Sequence, residues 1–111
     1  MSAAQLRPRS EAAWGAGTWR EDPELPALVE QTISLLDSGA IRVASPPASA
    51  GGDWTVHVWV KQAVLMYFGL AAMSTMTAGI YRWFDKVPLK TDYQEAGVRA
   101  VPPATVRRGA F

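Results

Sequence analysis

At 111 residues the chain has room for one small domain with a modest core. A net charge of +1 gives it no general attraction to nucleic acid or to an anionic membrane face. Cysteine is absent, which excludes disulfide staples and thiolate metal sites and fits a reducing cytoplasm.

Residues 1–21 read as a loosely ordered lead-in. Pro8, Gly15 and Gly17 interrupt it, and only Glu11–Trp14 is expected to form a helical turn. The first residues contain no apolar stretch of the secretory type. A helix is expected to begin between Asp22 and Pro26, with Asp22 as cap, Pro in the first turn, and Glu21 and Glu24 at the positive end of the dipole. Leu25, Leu28, Val29, Thr32, Ile33 and Leu36 follow at the spacing of one helical face, and Ser38-Gly39 stops the helix.

Ile41–Ala44 reads as a short strand, and a loop carrying Pro46-Pro47 and Gly51-Gly52-Asp53 leads to a second one at Trp54–Val58. Near His57 the apolar period changes from two to 3.6. Val60, Val64, Tyr67 and Phe68 share a face, which predicts a buried helix from Val58 to about Leu70. Gln62–Tyr81 carries no formal charge and is long enough, as a helix, to span a bilayer. Gly69, Ser74, Thr75, Thr77 and Gly79 dilute it, so the preferred reading is a buried helix followed by a loop over Met73–Ile80. Asp92–Ala96 can make one helical turn before Gly97, and Pro102-Pro103 is expected to hold an extended connector.

Val106-Arg-Arg-Gly-Ala-Phe111 has an inward apolar first position followed by polar and small residues, the rhythm of a hexapeptide β-helix. One such unit cannot bury its apolar face alone; about three stacked neighbours are usually needed. The expected class is therefore α+β: a lead-in over 1–21, a mostly helical domain with a β-hairpin over 22–98, and a connector with a first hexad over 99–111.

Four segments carry a resemblance. They are Leu35–Ala44, Trp54–Leu65 with Phe68, Asp85-Lys-Val-Pro88, and Val98–Phe111. In this order they resemble the N-terminal part of tetrahydrodipicolinate N-succinyltransferase, an enzyme of lysine and diaminopimelate biosynthesis. Gly69 stands where that family commonly has Arg, the 71–81 segment is atypical, and the stretch from Lys90 to Gly97 is shorter than usual. The family's left-handed β-helix is expected to be absent from these 111 residues, which reach only its first hexad. The resemblance implies that this missing part forms the homotrimer, binds succinyl-CoA and carries the catalytic acids. The expectation is a cytoplasmic fragment that binds no cofactor, holds no catalytic residue and transfers no succinyl group by itself.

Arg99 looks like the family arginine that contacts a carboxylate of the cyclic dicarboxylate acceptor. Its planar fork of donors suits that task and stays charged at any working pH. His57, with Asp53 four residues before it, has the types needed for a general base, but no serine or second histidine is evident to complete a relay. It reads as a structural residue at the junction of hairpin and helix. Trp54, Trp59 and Trp83 with Phe84 read as packing between the hairpin and the second helix rather than as a platform for bases. Arg107 and Arg108, adjacent on an extended segment, point to opposite faces and so make a poor phosphate clamp. Two other roles are weighed: an interaction module that docks on a β-helix edge or self-associates through Val106 and Phe111, and a small single-pass membrane protein.

Overall fold

A computed structural model describes residues 1–111 and contains three helices and two small antiparallel hairpins, an α+β arrangement with no β-helix coil. Helix α1 spans Ala3–Ala16, α2 Leu25–Asp37 and α3 Val58–Leu70. Strands β1 (Ala44–Ser45) and β2 (Thr55–Val56) form one hairpin; β3 (Ser74–Ala78) and β4 (Tyr81–Asp85) form the other.

Helix α2 forms where its apolar spacing places it, burying all six residues of the predicted face. Its start differs in detail: Glu24 is the cap position, and the Asp22 carboxylate accepts the Glu24 amide at 2.9 Å instead of closing the helix itself. Gly39 takes the left-handed conformation (φ 78°) just past the end. Helix α3 matches its expected bounds and buries Trp59, Val60, Ala63 and Met66. Together with Leu6 and Trp19 these helices form the core, in which each fully buried Leu or Val contributes about 2 kcal/mol.

The lead-in is a correction. Residues 3–16 form a full helix rather than one turn, and they pack on both α2 and α3. The Ser2 amide donates to the Gln5 side chain at 2.8 Å, half of a capping box that opens the helix. Ala3, Leu6, Ser10 and Ala13 then lie at the spacing of one helical face, and the helix continues through Pro8 with Leu6 and Ser10 fully buried. A 3₁₀ turn at Trp19–Glu21 leads into α2 and seats the Trp19 ring against α3.

The first hairpin is shorter and later than expected, pairing Ala44 with Val56 and Ser45 with Thr55 instead of using Ile41–Ala44. The expected loop at Met73–Ile80 is a second correction, because Ser74–Ala78 pairs residue for residue with Tyr81–Asp85. A two-residue turn joins them. Gly79 has φ 59° and Ile80 does not have a positive φ, which is the Gly-X type II′ pattern. That strand also divides the uncharged run. Helix α3 stops at Leu70, and no helix is long and apolar enough to cross a membrane.

Beyond β4 only Val87 and Lys90 are buried. Asp92–Gly97 makes the expected single turn, with the Ala96 amide on the Asp92 carbonyl at 2.9 Å. The connector does not run extended. It turns at Val101–Ala104, where the Ala104 amide donates to the Val101 carbonyl.

Candidate functional site

Arg99 sits in a loop whose neck is tied. The Lys90 amide donates to the Val106 carbonyl at 2.8 Å and the Arg108 amide to the Pro88 carbonyl at 2.9 Å, an antiparallel bridge between Leu89 and Arg107. Within the loop the Val98 amide is held by the Tyr93 carbonyl, and the Val101–Ala104 turn follows. Arg99 lies between these two fixed points, exposed and without a hydrogen bond or ion pair inside the chain. An exposed guanidinium with no internal carboxylate keeps its donor fork available to a ligand.

The neck is anchored to the core by Lys90. Its ammonium, almost wholly buried, donates to the Asp37 carbonyl at 2.9 Å and to the Asp37 carboxylate at 3.2 Å, with Asp92 at 3.5 Å. The Asp37 carboxylate also accepts the Gly109 amide at 2.7 Å. A cation at the C-terminal end of α2 meets free carbonyls and the negative end of the helix dipole. Neither residue stood out in the sequence, because their partnership spans 53 positions.

His57 is the cap residue of α3, and its amide donates to the Val43 carbonyl at 2.7 Å. Its Nε2 lies 2.8 Å from the Ser45 hydroxyl, a contact created by the β1–β2 register. The expectation that no serine partners this ring does not hold, because the hairpin register brings Ser45 to it from twelve positions away. Asp53 is exposed, and Ser45 is the side chain that the ring bonds.

The aromatic residues separate. Trp59 is buried in the core as expected, whereas Trp54 is well exposed, with the Arg42 guanidinium 5.8 Å from its ring centroid. Trp83 stacks on Tyr81, two residues before it along β4, with ring centroids 6.0 Å apart, and Phe84 is exposed. Arg107 and Arg108 do diverge, to Asp85 at 3.2 Å and to Glu30 at 2.6 Å. Both are therefore engaged within the chain and form no joint anion clamp. No cluster of three or more His, Asp or Glu side chains is placed to hold a metal ion.

A small α+β module with a tied C-terminal arm is the class that this fold defines. The family model for the tetrahydrodipicolinate N-succinyltransferase N-terminal region matches residues 5–70, over half of the chain, and the chain belongs to that family. Three relatives are each named 2,3,4,5-tetrahydropyridine-2,6-dicarboxylate N-succinyltransferase. One from Tolumonas auensis is 46% identical over 81% of this chain and 34% of its own length. One from Salmonella heidelberg is 51% identical over 75% of this chain and 31% of its own, and one from Shewanella sediminis 43% identical over 96% and 41%. The chain thus spans about a third to two fifths of the length of the relatives it matches.

Proposed function

We propose that this chain serves as the N-terminal domain of a tetrahydrodipicolinate N-succinyltransferase in lysine and diaminopimelate biosynthesis, a cytoplasmic enzyme that works as a homotrimer. Arg99 holds one carboxylate of the cyclic dicarboxylate acceptor. Succinyl-CoA, the co-substrate, is held by the part of the enzyme that the matched region does not include. Water adds across the ring C=N bond of the acceptor to give an N–H amine. That nitrogen attacks the thioester carbonyl, an N–acyl bond forms, the C–S bond breaks, and the nitrogen's proton ends on the departing CoA thiol. This domain supplies orientation to that reaction and no proton transfer.

The observation that carries the reading is the exposed, unpaired Arg99 on a loop with a fixed neck. A carboxylate clamp needs a charge that no internal partner neutralises and a backbone that does not wander. Self-association through Val106 and Phe111 has less support, since Val106 is half-buried with its carbonyl bonded by the Lys90 amide, which leaves Phe111 as the one exposed apolar side chain of the pair.

The test joins these 111 residues to the part of the Salmonella relative that follows its matched region, and follows acceptor-dependent release of CoA. Loss of a charge-assisted hydrogen bond predicts that Arg99→Gln raises KM for the acceptor about tenfold or more, with KM for succinyl-CoA unchanged. An acceptor KM that ignores the substitution overturns the role of Arg99. CoA release by the 111-residue chain alone would overturn its reading as a positioning domain.

A further inference from the structure

A second group of unassigned polar side chains lies on another part of the molecule. A cleft of about 430 Å³ opens between the start of α1, the segment that leaves α2, and the start of α3. Its polar walls are Arg7, Arg42, Ser45 and His57, and its apolar walls include Ile41 and Trp59. No carboxylate lines it. Arg7 gives its Nε to Glu11 at 2.9 Å, which leaves the two terminal nitrogens of its fork. Arg42 has no carboxylate partner, and its guanidinium lies over the face of Trp54.

We infer that this cleft binds a small organic oxyanion, a carboxylate or phosphate monoester with a short apolar body. Arg7 and Arg42 both line the cleft, the second without a carboxylate partner, and guanidinium groups offer the planar donors that such heads accept bidentately. The Ser45–His57 pair adds a directed donor. When the imidazole Nε2–H donates to Ser45 Oγ, the hydroxyl hydrogen is free to turn into the cleft. An anion selects that tautomer, because the alternative spends the hydroxyl hydrogen on the ring. Ile41 and Trp59 give the ligand body an apolar surface, and the volume lies within the range of small-ligand pockets. The inference is independent of the acceptor role proposed for Arg99, which does not line this cleft.

The test is an amide and side-chain NMR titration of the full chain with inorganic phosphate, butyl phosphate and butyrate, with butanamide as the neutral control. Saturable shifts centred on residues 39–45 and 57–60 are expected with at least one of the butyl anions, tighter than with inorganic phosphate and absent with butanamide. Arg42→Gln, at an exposed position, is expected to keep the amide pattern of α3 and weaken binding about tenfold, as for one lost charged hydrogen bond. Ser45→Ala should weaken it less, and Arg99→Gln not at all. Whichever butyl anion binds more tightly identifies the head group. Failure of all three anions to saturate overturns the inference, as does binding that is equal for butanamide or insensitive to Arg42→Gln.

Discussion

The Asp37 carboxylate joins two segments that are far apart in the chain, receiving the buried Lys90 ammonium at 3.2 Å and the Gly109 amide at 2.7 Å. Lys90 belongs to the neck of the Arg99 loop and Gly109 follows directly after it, so the end of α2 fixes the base of that loop. The ammonium reaches the Asp37 carbonyl as well, so the helix end and its last side chain act as one receptor for the cation.

Removing that receptor should loosen the arm while sparing the three-helix core. Asp37→Ala leaves the Gly109 amide and the Lys90 ammonium short of an acceptor, at a cost of about 2 kcal/mol. For a domain of this size that lowers Tm by roughly 10 °C. Asp37→Asn keeps an oxygen for Gly109 and should fall between the two. Hydrogen exchange supplies the second readout: amides of Lys90 and Arg108 should lose protection, while those inside α3 keep it. Uniform loss across the chain would show that the arm and core unfold together.

The pair also sets a pH window. Burial by itself raises the Asp37 carboxyl, but the Gly109 amide, the Lys90 bond and charge, and Arg108 outweigh it and hold the group below the usual carboxylate range. Burial alone lowers Lys90, yet the Asp37 bond and the charges of Asp37 and Asp92 raise it above an ordinary lysine. A depressed acid stabilises the fold above its unfolded pKa, about 3.9, and that contribution fades as pH falls through the lower folded value. A raised lysine contributes fully below about 10.4 and loses its contribution as pH climbs through the higher folded value. Thermal melts should therefore show an Asp37-dependent decline below about pH 4 and a Lys90-dependent decline above about pH 10.4. Asp37→Asn should flatten the acid limb; an unchanged limb would assign the acid sensitivity to other carboxylates.

The parts legible in the sequence are those where large apolar residues recur at 3.6 spacing. Leu28, Ile33 and Leu36 mark α2. The bounds of α3 were legible too, but of its expected face only Val60 is buried. Trp59, Ala63 and Met66 beside it fill the core, while Val64, Tyr67 and Phe68 stay half-buried. Helix α1 escaped because its face of Ala3, Leu6, Ser10 and Ala13 has little hydropathy contrast and works through small size at a close helix contact. The β3–β4 hairpin escaped because neither strand face is covered; Met76 and Trp83 are only half-buried, so no in–out alternation developed. Its signal was the Gly79-Ile80 pair between β-branched and aromatic residues. Arg99 could be singled out as a residue, but its presentation depends on pairing between residues 88–90 and 106–108. Likewise, Ser45 meets His57 only once the hairpin register is known.

Ser10 carries a hydroxyl that is fully buried and has no hydrogen-bond partner. An unpartnered buried hydroxyl is destabilising, and alanine is the better helix former. Ser10→Ala should therefore stabilise the protein by about 1 kcal/mol, raising Tm by roughly 5 °C. A lower Tm would mean that the hydroxyl finds a partner in solution.

Gly69 is in the last turn of α3, where the edge of the Trp19 ring occupies the place that a Cβ would take. Arg20 lies over the same ring, its guanidinium carbon 4.1 Å from the centroid. In an open helix position, replacing glycine by alanine would gain about 1 kcal/mol. Here the methyl group displaces Trp19 from the core edge, and overpacking of this kind costs about 1–3 kcal/mol. Gly69→Ala should thus be neutral to destabilising by about 2 kcal/mol, with Trp19 fluorescence shifted to the red as the ring gains solvent. In a Trp19→Ala background the obstruction is gone, and the same substitution should stabilise by about 1 kcal/mol. A double-mutant cycle measures this reversal directly. Additive effects with no change of sign would show that the ring yields to the methyl group without leaving its seat.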